Sequence, residues 1–366
     1  MTVHTEILLI AIAVSIACAI PGVFLVLRRM SMMADAITHT VFLGIVLAFF
    51  ITEDLNSPFL LVGATLVGVG TVWLTEMIHN TGLVNEDASI GIIFPLLFSV
   101  AIILVSLYSG NAHLDVDTAL LGEIAFAPFD RWIVNGIDLG PVSLWISLGV
   151  ALINLILVML FYKELQLSTF DPLLAGLFGF MPVLIHYVLM TMVSLTVVAS
   201  FQAVGAILVI GLMIGPAVIA YLWTDSVKAM LTSSIIIGII CAVIGTEVAF
   251  TMDVSIAGSI ATTIGIALII AVIATPKTGY IATYRRQRHL RRHYRETMML
   301  CHIYTHMDTP IAHVENGIGT IHEHLNWRPD YTHQAASQLK KQGLLYVTNG
   351  HYVLTDKGIA QVKEII

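Results

Sequence analysis

Asp35 and His39 are the pair whose types and spacing point most directly to chemistry. They lie four apart, so on a helix they share one face and can converge on one ligand. A carboxylate oxygen beside an imidazole nitrogen suits Mn²⁺, Fe²⁺ or Zn²⁺. The plain alternative is that Asp35 caps the start of a helix while His39 is packed and hydrogen-bonded. The spacing alone admits both.

Other polar residues in apolar surroundings are Glu76, His79, Asn154, His186, Gln202, Glu247 and Asp253. Buried Asn and Gln act more often as interhelical glue than as ligands. Glu247 and Asp253 are candidates to attract or admit a cation. His113, Asp115 and Asp117 form a metal-compatible loop, though an exposed acidic loop is ordinarily just solvated. Nine of the fourteen histidines fall after residue 280. Among them His302 and His306 are four apart with Cys301 and Met298 nearby, and His322 and His324 flank Glu323. These four histidines are a candidate regulatory metal site; scattered surface histidines are the bland reading. The three cysteines offer no disulfide framework and no Cys-x-x-Cys site. No Gly-Lys dipeptide occurs, so the G-x-x-x-x-G-K-[ST] phosphate loop is absent and this chain does not hydrolyse ATP itself.

The elements that must position these groups follow from composition. Of 366 residues, 11% are charged and 57% apolar, against roughly 25% and 45–50% in an ordinary soluble domain. Mean hydropathy is +0.90. A soluble globular protein of this size is excluded, because too little polar surface exists to cover it. Residues 1–276 carry 5 basic and 17 acidic groups, whereas residues 277–366 carry 12 and 7. The first part reads as membrane, the second as a small soluble domain.

Apolar runs of about 20 residues, enough to cross ~30 Å of hydrocarbon, occur near 6–27, 34–51, 58–79, 89–107, 142–162, 182–199, 201–223, 228–250 and 255–274. The stretch 182–223 reads either as two spans or as a span plus a broken helix, so the count is eight to nine. An Asp within such a run costs about 2.5–3.5 kcal/mol on insertion scales, so Asp35 requires a compensating partner. Basic residues orient the spans. With the C-terminus cytoplasmic, Arg28, Arg29, Lys163 and Lys228 fall inside and only Arg131 outside.

Residues 281–295 form a basic juxtamembrane linker with six Arg in eleven positions, matched to an anionic lipid surface. From about residue 291 the pattern changes to short elements, with the domain proper at 296–366: helix over 291–306, helix near 317–325, helix over 331–342, a hairpin and a last helix. Asn349-Gly350 between two β-rich runs is the hairpin signal. This order is that of a winged helix-turn-helix. Its charge argues against DNA as a partner, since residues 300–366 hold 5 basic and 6 acidic side chains. The expected fold class is an all-α polytopic membrane protein, 1–280, followed by a small cytoplasmic winged helix-turn-helix domain.

Four stretches carry a resemblance to a known family. They are Leu27-Arg28-Arg29-Met30-Ser31 through Asp35-Ala36-Ile37-Thr38-His39, Glu86 to Phe94, Ser168 to Gly176, and Ser200-Phe201-Gln202-Ala203-Val204-Gly205. In order, they resemble the manganese/zinc/iron permeases, membrane subunits of ATP-binding-cassette metal importers. The resemblance covers residues 5–280. It implies import of a divalent transition metal, manganese first and zinc or iron as alternatives, carried as cargo with no resident cofactor. It implies a separate cytoplasmic ATPase, an extracellular metal-binding protein and a second permease chain in a bacterial plasma membrane. The family's metal-pathway Asp and His fall on Asp35 and His39. Its ATPase-coupling helix falls on Phe170, Asp171 and Pro172, continuing through Ala175 and Gly179. Ala257-Gly258 departs from the Ser-Gly frequent after the position of Asp253, and the tail, similar to the DNA-binding half of metal-dependent repressors, is an extension. The rival readings are an importer of metal chelates such as haem or siderophores, a membrane-tethered metal-responsive regulator, and a proton-coupled secondary carrier, which co-purification of an ATPase would exclude.

Overall fold

In hydrocarbon no water is available to an unpaired N–H or C=O, so a spanning segment must satisfy its backbone internally. The computed structural model describes residues 2–53, 57, 59–108, 124–134, 137–275 and 279–365. Among these, nine helices are long and apolar enough to cross a membrane. They are α1 (Val3–Leu27), α2 (Ser31–Thr52), α3 (Phe59–His79), α4 (Glu86–Tyr108), α5 (Val142–Leu160), and, after the short α6 (Tyr162–Phe170) and α7 (Pro172–Leu177), α8 (Pro182–Val204), α9 (Ala206–Trp223), α10 (Val227–Met252) and α11 (Ile256–Ala274). The ambiguous stretch 182–223 is two helices, parted at Gly205, whose φ of 79° favours glycine. The loop carrying His113, Asp115 and Asp117 lies outside the described residues.

The chain divides into two compact units, Met1–Ile273 and Ala274–Ile366. In the first, α1 is the central element and packs against α5, α8, α9 and α10, while α2 packs on α3, α4 and α8. Ile10, Val14, Cys18 and Leu25 of α1 join Met33, Ile37 and Val41 of α2 in the main core. Close approach is bought with small residues: a Cβ on Gly22 would run into the Met213 carbonyl. Polar side chains add specific ties. Asn154 Nδ2 donates to the Ala17 carbonyl (3.1 Å) and to Thr196 Oγ1 (2.7 Å), and Thr71 donates to Thr40 at 2.8 Å. Asn154 is thus interhelical glue. Between α4 and α5 a two-stranded antiparallel ribbon, β1 (Arg131–Val134) and β2 (Ile137–Pro141), follows a 3₁₀ turn at Ala127–Phe129.

The second unit holds α12 (Tyr280–His306), the short α13 (Ala312–Glu315) and α14 (Ile321–His324), α15 (Pro329–Lys341), β3 (Leu345–Thr348), β4 (His351–Leu354) and α16 (Asp356–Ile365). Here the sequence reading needs a correction. The first helix begins at Tyr280 rather than 291, because the basic stretch contains no breaker and Arg is a good helix former. The hairpin forms as expected, pairing Thr348 with His351. Asn349 and Gly350 both have positive φ, 50° and 81°, the requirement of a two-residue type I′ turn. An isolated antiparallel bridge, Gly317 to His351, adds a third edge to this hairpin. Met299, Leu300, Ile303, Ile321, Leu339 and Val362 form the core of this unit.

Candidate metal pathway

Helix α2 begins at Ser31 with Met30 as its N-cap residue, and no side chain caps it. Asp35 therefore lies a full turn inside the helix, and the capping explanation for it fails. Its Oδ1 is 3.5 Å from His39 Nε2, and the two side chains are 37% and 32% exposed. The His39 ring stacks on Phe94 of α4 at 5.6 Å and meets Phe98 edge-on at 5.9 Å. The two aromatic rings flank the imidazole, whose Nε2 faces the Asp35 carboxylate. Among the described residues no three His, Cys, Asp or Glu side chains gather into a metal-holding group. Asp35 and His39 stand, among the described residues, as a two-residue pair on a face about one-third exposed.

Glu247 and Asp253 are not brought to this pair. Glu247 Oε1 sits 3.3 Å from His4 Nε2, at the opposite end of α1 from Arg28. Asp253 ends α10 in the left-handed conformation, φ 54°. At the same end of α1, Arg131 forks onto Glu6, Nη1 to Oε2 and Nη2 to Oε1, both 3.2 Å, and its Nε meets Asp138 at 2.6 Å. Asp138 is held below the ordinary carboxylate range, first by the Gly140 N–H and also by Arg131.

The stretch from Phe170 to Gly179 folds as a helix end, a cap and a new short helix. Asp171 Oδ1 accepts the Leu174 N–H at 2.9 Å, and Pro172 takes the first helical position, where its missing N–H costs nothing. Gly179 closes the helix at φ 85°. Phe170, Leu173, Leu177, Phe178 and Met181 are all exposed, Leu173 and Leu177 at 85%. Together they make an exposed apolar patch at this turn. Ala175 is fully buried, so it packs under the patch instead of lining it.

One cluster was not assembled by sequence reasoning. Arg28 donates through Nε to Thr169 Oγ1 (3.1 Å), through Nη2 to Ser168 Oγ (3.3 Å), and through Nη1 to His186 Nδ1 (3.1 Å). His186 Nε2 lies 2.7 Å from Glu76 Oε1, and Tyr187 Oη donates to Glu76 Oε2, also at 2.7 Å. Burial lowers the Arg28 guanidinium to about 10, which leaves it charged at neutral pH. The signal available in sequence was only that ionisable groups inside spans need partners.

In the second unit, His302 meets His306 at 4.7 Å between ring centres and His324 at 6.1 Å. His306 Nδ1 pairs with Glu315 Oε2 at 2.6 Å, and burial holds His302 below the ordinary imidazole range. His322 is not among the rings that meet.

With this geometry in hand, comparison with known proteins is decisive. Residues 2–275 match the ABC 3 transport family. The chain belongs to that family. It is 41% identical over 356 residues to the zinc transport system membrane protein TroD of Treponema pallidum, covering 97% of this chain and 96% of that one. It is 42% identical over 281 residues to the manganese transport system membrane protein MntD of Bacillus subtilis, covering 77% and 95%. Among solved structures, PsaBC from Streptococcus pneumoniae in complex with Fab superposes with a TM-score of 0.65 at 29% identity, over 78% of this chain and 96% of that chain. An ABC 3 member is a membrane-embedded transport subunit, and hydrolysis belongs to a separate chain. The TroD match extends through the tail, whereas the MntD match covers a share of the chain comparable to the membrane part alone.

Proposed function

We propose that this chain is the membrane permease of a bacterial importer that takes up a divalent transition metal, manganese first and zinc or iron as alternatives. The observation that carries the reading is the Asp35–His39 pair, 3.5 Å apart on one helix face and about one-third exposed. Two ligands per copy make four in a dimer, so a second permease chain completes the site. Few ligands including a carboxylate bind firmly enough to select and weakly enough to release, which conduction requires. The names of TroD and MntD support zinc and manganese as cargo.

The reading places residues 1–280 as the transmembrane permease domain with the N-terminus outside. Arg28 beside Ser168 and Thr169, and Lys228 over the Tyr162 ring at 5.4 Å, gather basic groups at one end of the bundle. The positive-inside rule makes that end cytoplasmic. There the exposed patch around Phe170 and Leu173 docks a separate ATPase, and an extracellular protein delivers the ion at the end bearing Glu6, Glu247 and Asp253. Residues 281–295 serve as a basic juxtamembrane segment for anionic lipid. Leu290, Arg291, Tyr294, Arg295 and Trp327 line a cavity of about 430 Å³ that suits such a headgroup. Residues 296–366 form a cytoplasmic winged-helix domain. Support comes from the order of helices and hairpin and from the Gly317–His351 bridge in the place of a third strand. His302, His306 and His324, with His322 adjacent in sequence, remain the place to look for a regulatory metal there. Metal uptake by the complete importer, with and without Asp35 and His39, tests the reading.

A further inference from the structure

Arg28 has five N–H donors and no acceptor, so the His186 Nδ1 it contacts must be the accepting nitrogen. The other ring nitrogen, Nε2, lies 2.7 Å from Glu76 Oε1, a close contact outside hydrogen-bond geometry. His186 thereby stands between a cation and a carboxylate, in contact with both, and Tyr187 donates to the other oxygen. The bridge ties together four separate pieces of chain. Ser168 and Thr169 immediately precede Phe170. Arg28 precedes α2 by three residues. Glu76 belongs to α3, and His186 and Tyr187 belong to α8.

The turn between Arg28 and α2 leaves little slack. Arg29 holds the left-handed conformation, φ 62°, which is uncommon for a residue with a side chain. Its N–H bonds the Val26 carbonyl at 3.1 Å, and the Met30 N–H bonds Leu25 at 2.9 Å. A displacement of Arg28 therefore passes to the first turn of α2, and Asp35 is one turn further on. Along a second route, α3 packs on α2 and Thr71 bonds Thr40, one residue beyond His39. Arg28 is held at three points and Glu76 at two, so the link moves as a unit instead of slipping.

We infer that Arg28, His186 and Glu76 are positioning residues that transmit displacement of the Phe170–Gly179 segment to α2, re-aiming Asp35 and His39 during transport. This rests on the proposed importer reading for its direction of action. They touch neither the ion nor the ATPase; they act through the helices they connect.

The test uses the full chain with its ATPase and second permease copy in liposomes, on a Cys301→Ser background. Two quantities are read: Mn²⁺ moved per ATP hydrolysed, and the nucleotide-dependent change in distance between spin labels at Met32→Cys in the two copies. In His186→Leu, hydrolysis stays near wild type. Ions moved per ATP fall by about tenfold, an ordinary size for coupling between sites, and the label movement disappears. His186→Gln restores both, because an amide accepts from Arg28 through its oxygen and donates to Glu76 through its nitrogen. Unchanged coupling and label movement in His186→Leu would overturn the inference. So would a joint fall of hydrolysis, uptake and Tm in both variants, which marks a merely structural cluster. Asp35→Ala tests the importer reading separately: if it transports normally the ligand assignment falls, while the label distances still decide the link.

Discussion

The carboxylate of Asp35 and the imidazole of His39 meet across one helical turn at 3.5 Å, and the imidazole lies against the Phe94 ring at 5.6 Å. The pair is therefore oriented before any ion arrives. Phe94→Ala releases the ring to other rotamers. Apparent affinity for the transported metal should weaken by roughly tenfold, the low end of what losing a ligand-orienting neighbour costs. Maximal uptake should change less. Concentration-dependent uptake at matched protein level measures both.

At the other end of α1, Glu6 is 3% exposed and its charge is answered by Arg131. Arg131→Leu leaves a buried carboxylate without its partner and lowers Tm. Adding Glu6→Leu removes the stranded charge, so the double variant recovers part of the loss, the pattern expected of a buried pair. Thermal unfolding of the detergent-solubilised chain checks this double-mutant cycle.

Asp171 holds the first turn of the short helix that presents Leu173 and Leu177. Asp171→Ala removes a cap worth about 1 kcal/mol, and the helix frays. Co-purification of the ATPase should fall, while metal binding by the permease is unaffected. Asp171→Asn, which still caps through its amide oxygen, should retain the partner.

The second unit should be acid-sensitive. Burial first, and then the neighbouring His306 and His324, favour neutral His302 in the folded state, below its ordinary value of 6.5, against a raising contribution from the Glu315 carbonyl contact. The unfolded chain therefore takes up the proton first. Stability is complete above about pH 6.5 and declines as pH falls through that value toward the lower folded one. Hydrogen exchange at Met299, Leu300 and Ile303 in the full chain should accelerate between pH 7.5 and about pH 5.5. In His302→Gln this acceleration should be reduced.

How much was legible beforehand depended on how local the signal was. The spans announced themselves through length and hydropathy, and Asn349-Gly350 announced its turn through the two positive φ values it allows. Asp35 and His39 were legible because four residues make one helical turn. The Arg28–His186–Glu76 bridge was not, since Arg28 and His186 are 158 residues apart and Tyr187 and Glu76 are 111 apart. Packing of both α1 and α3 against α8 brings them together. Which side of the short helix from Pro172 is buried, with Ala175 inside and Leu173 and Leu177 outside, is likewise set by packing that the sequence does not display. The basic run ahead of residue 291 signals charge without signalling shape, and only the structure shows it continuing α12 back to Tyr280.

The most direct measurement is uptake of radiolabelled Mn²⁺ and Zn²⁺ by cells lacking their own importers. These cells would express the chain with its partner proteins, as wild type, Asp35→Ala and His39→Ala. Wild type should take up one of these metals, and each variant should lose at least about tenfold at equal protein level, no less than the loss of a partner that merely orients a ligand. Uptake unchanged in both variants would contradict the assignment of Asp35 and His39 to the metal pathway.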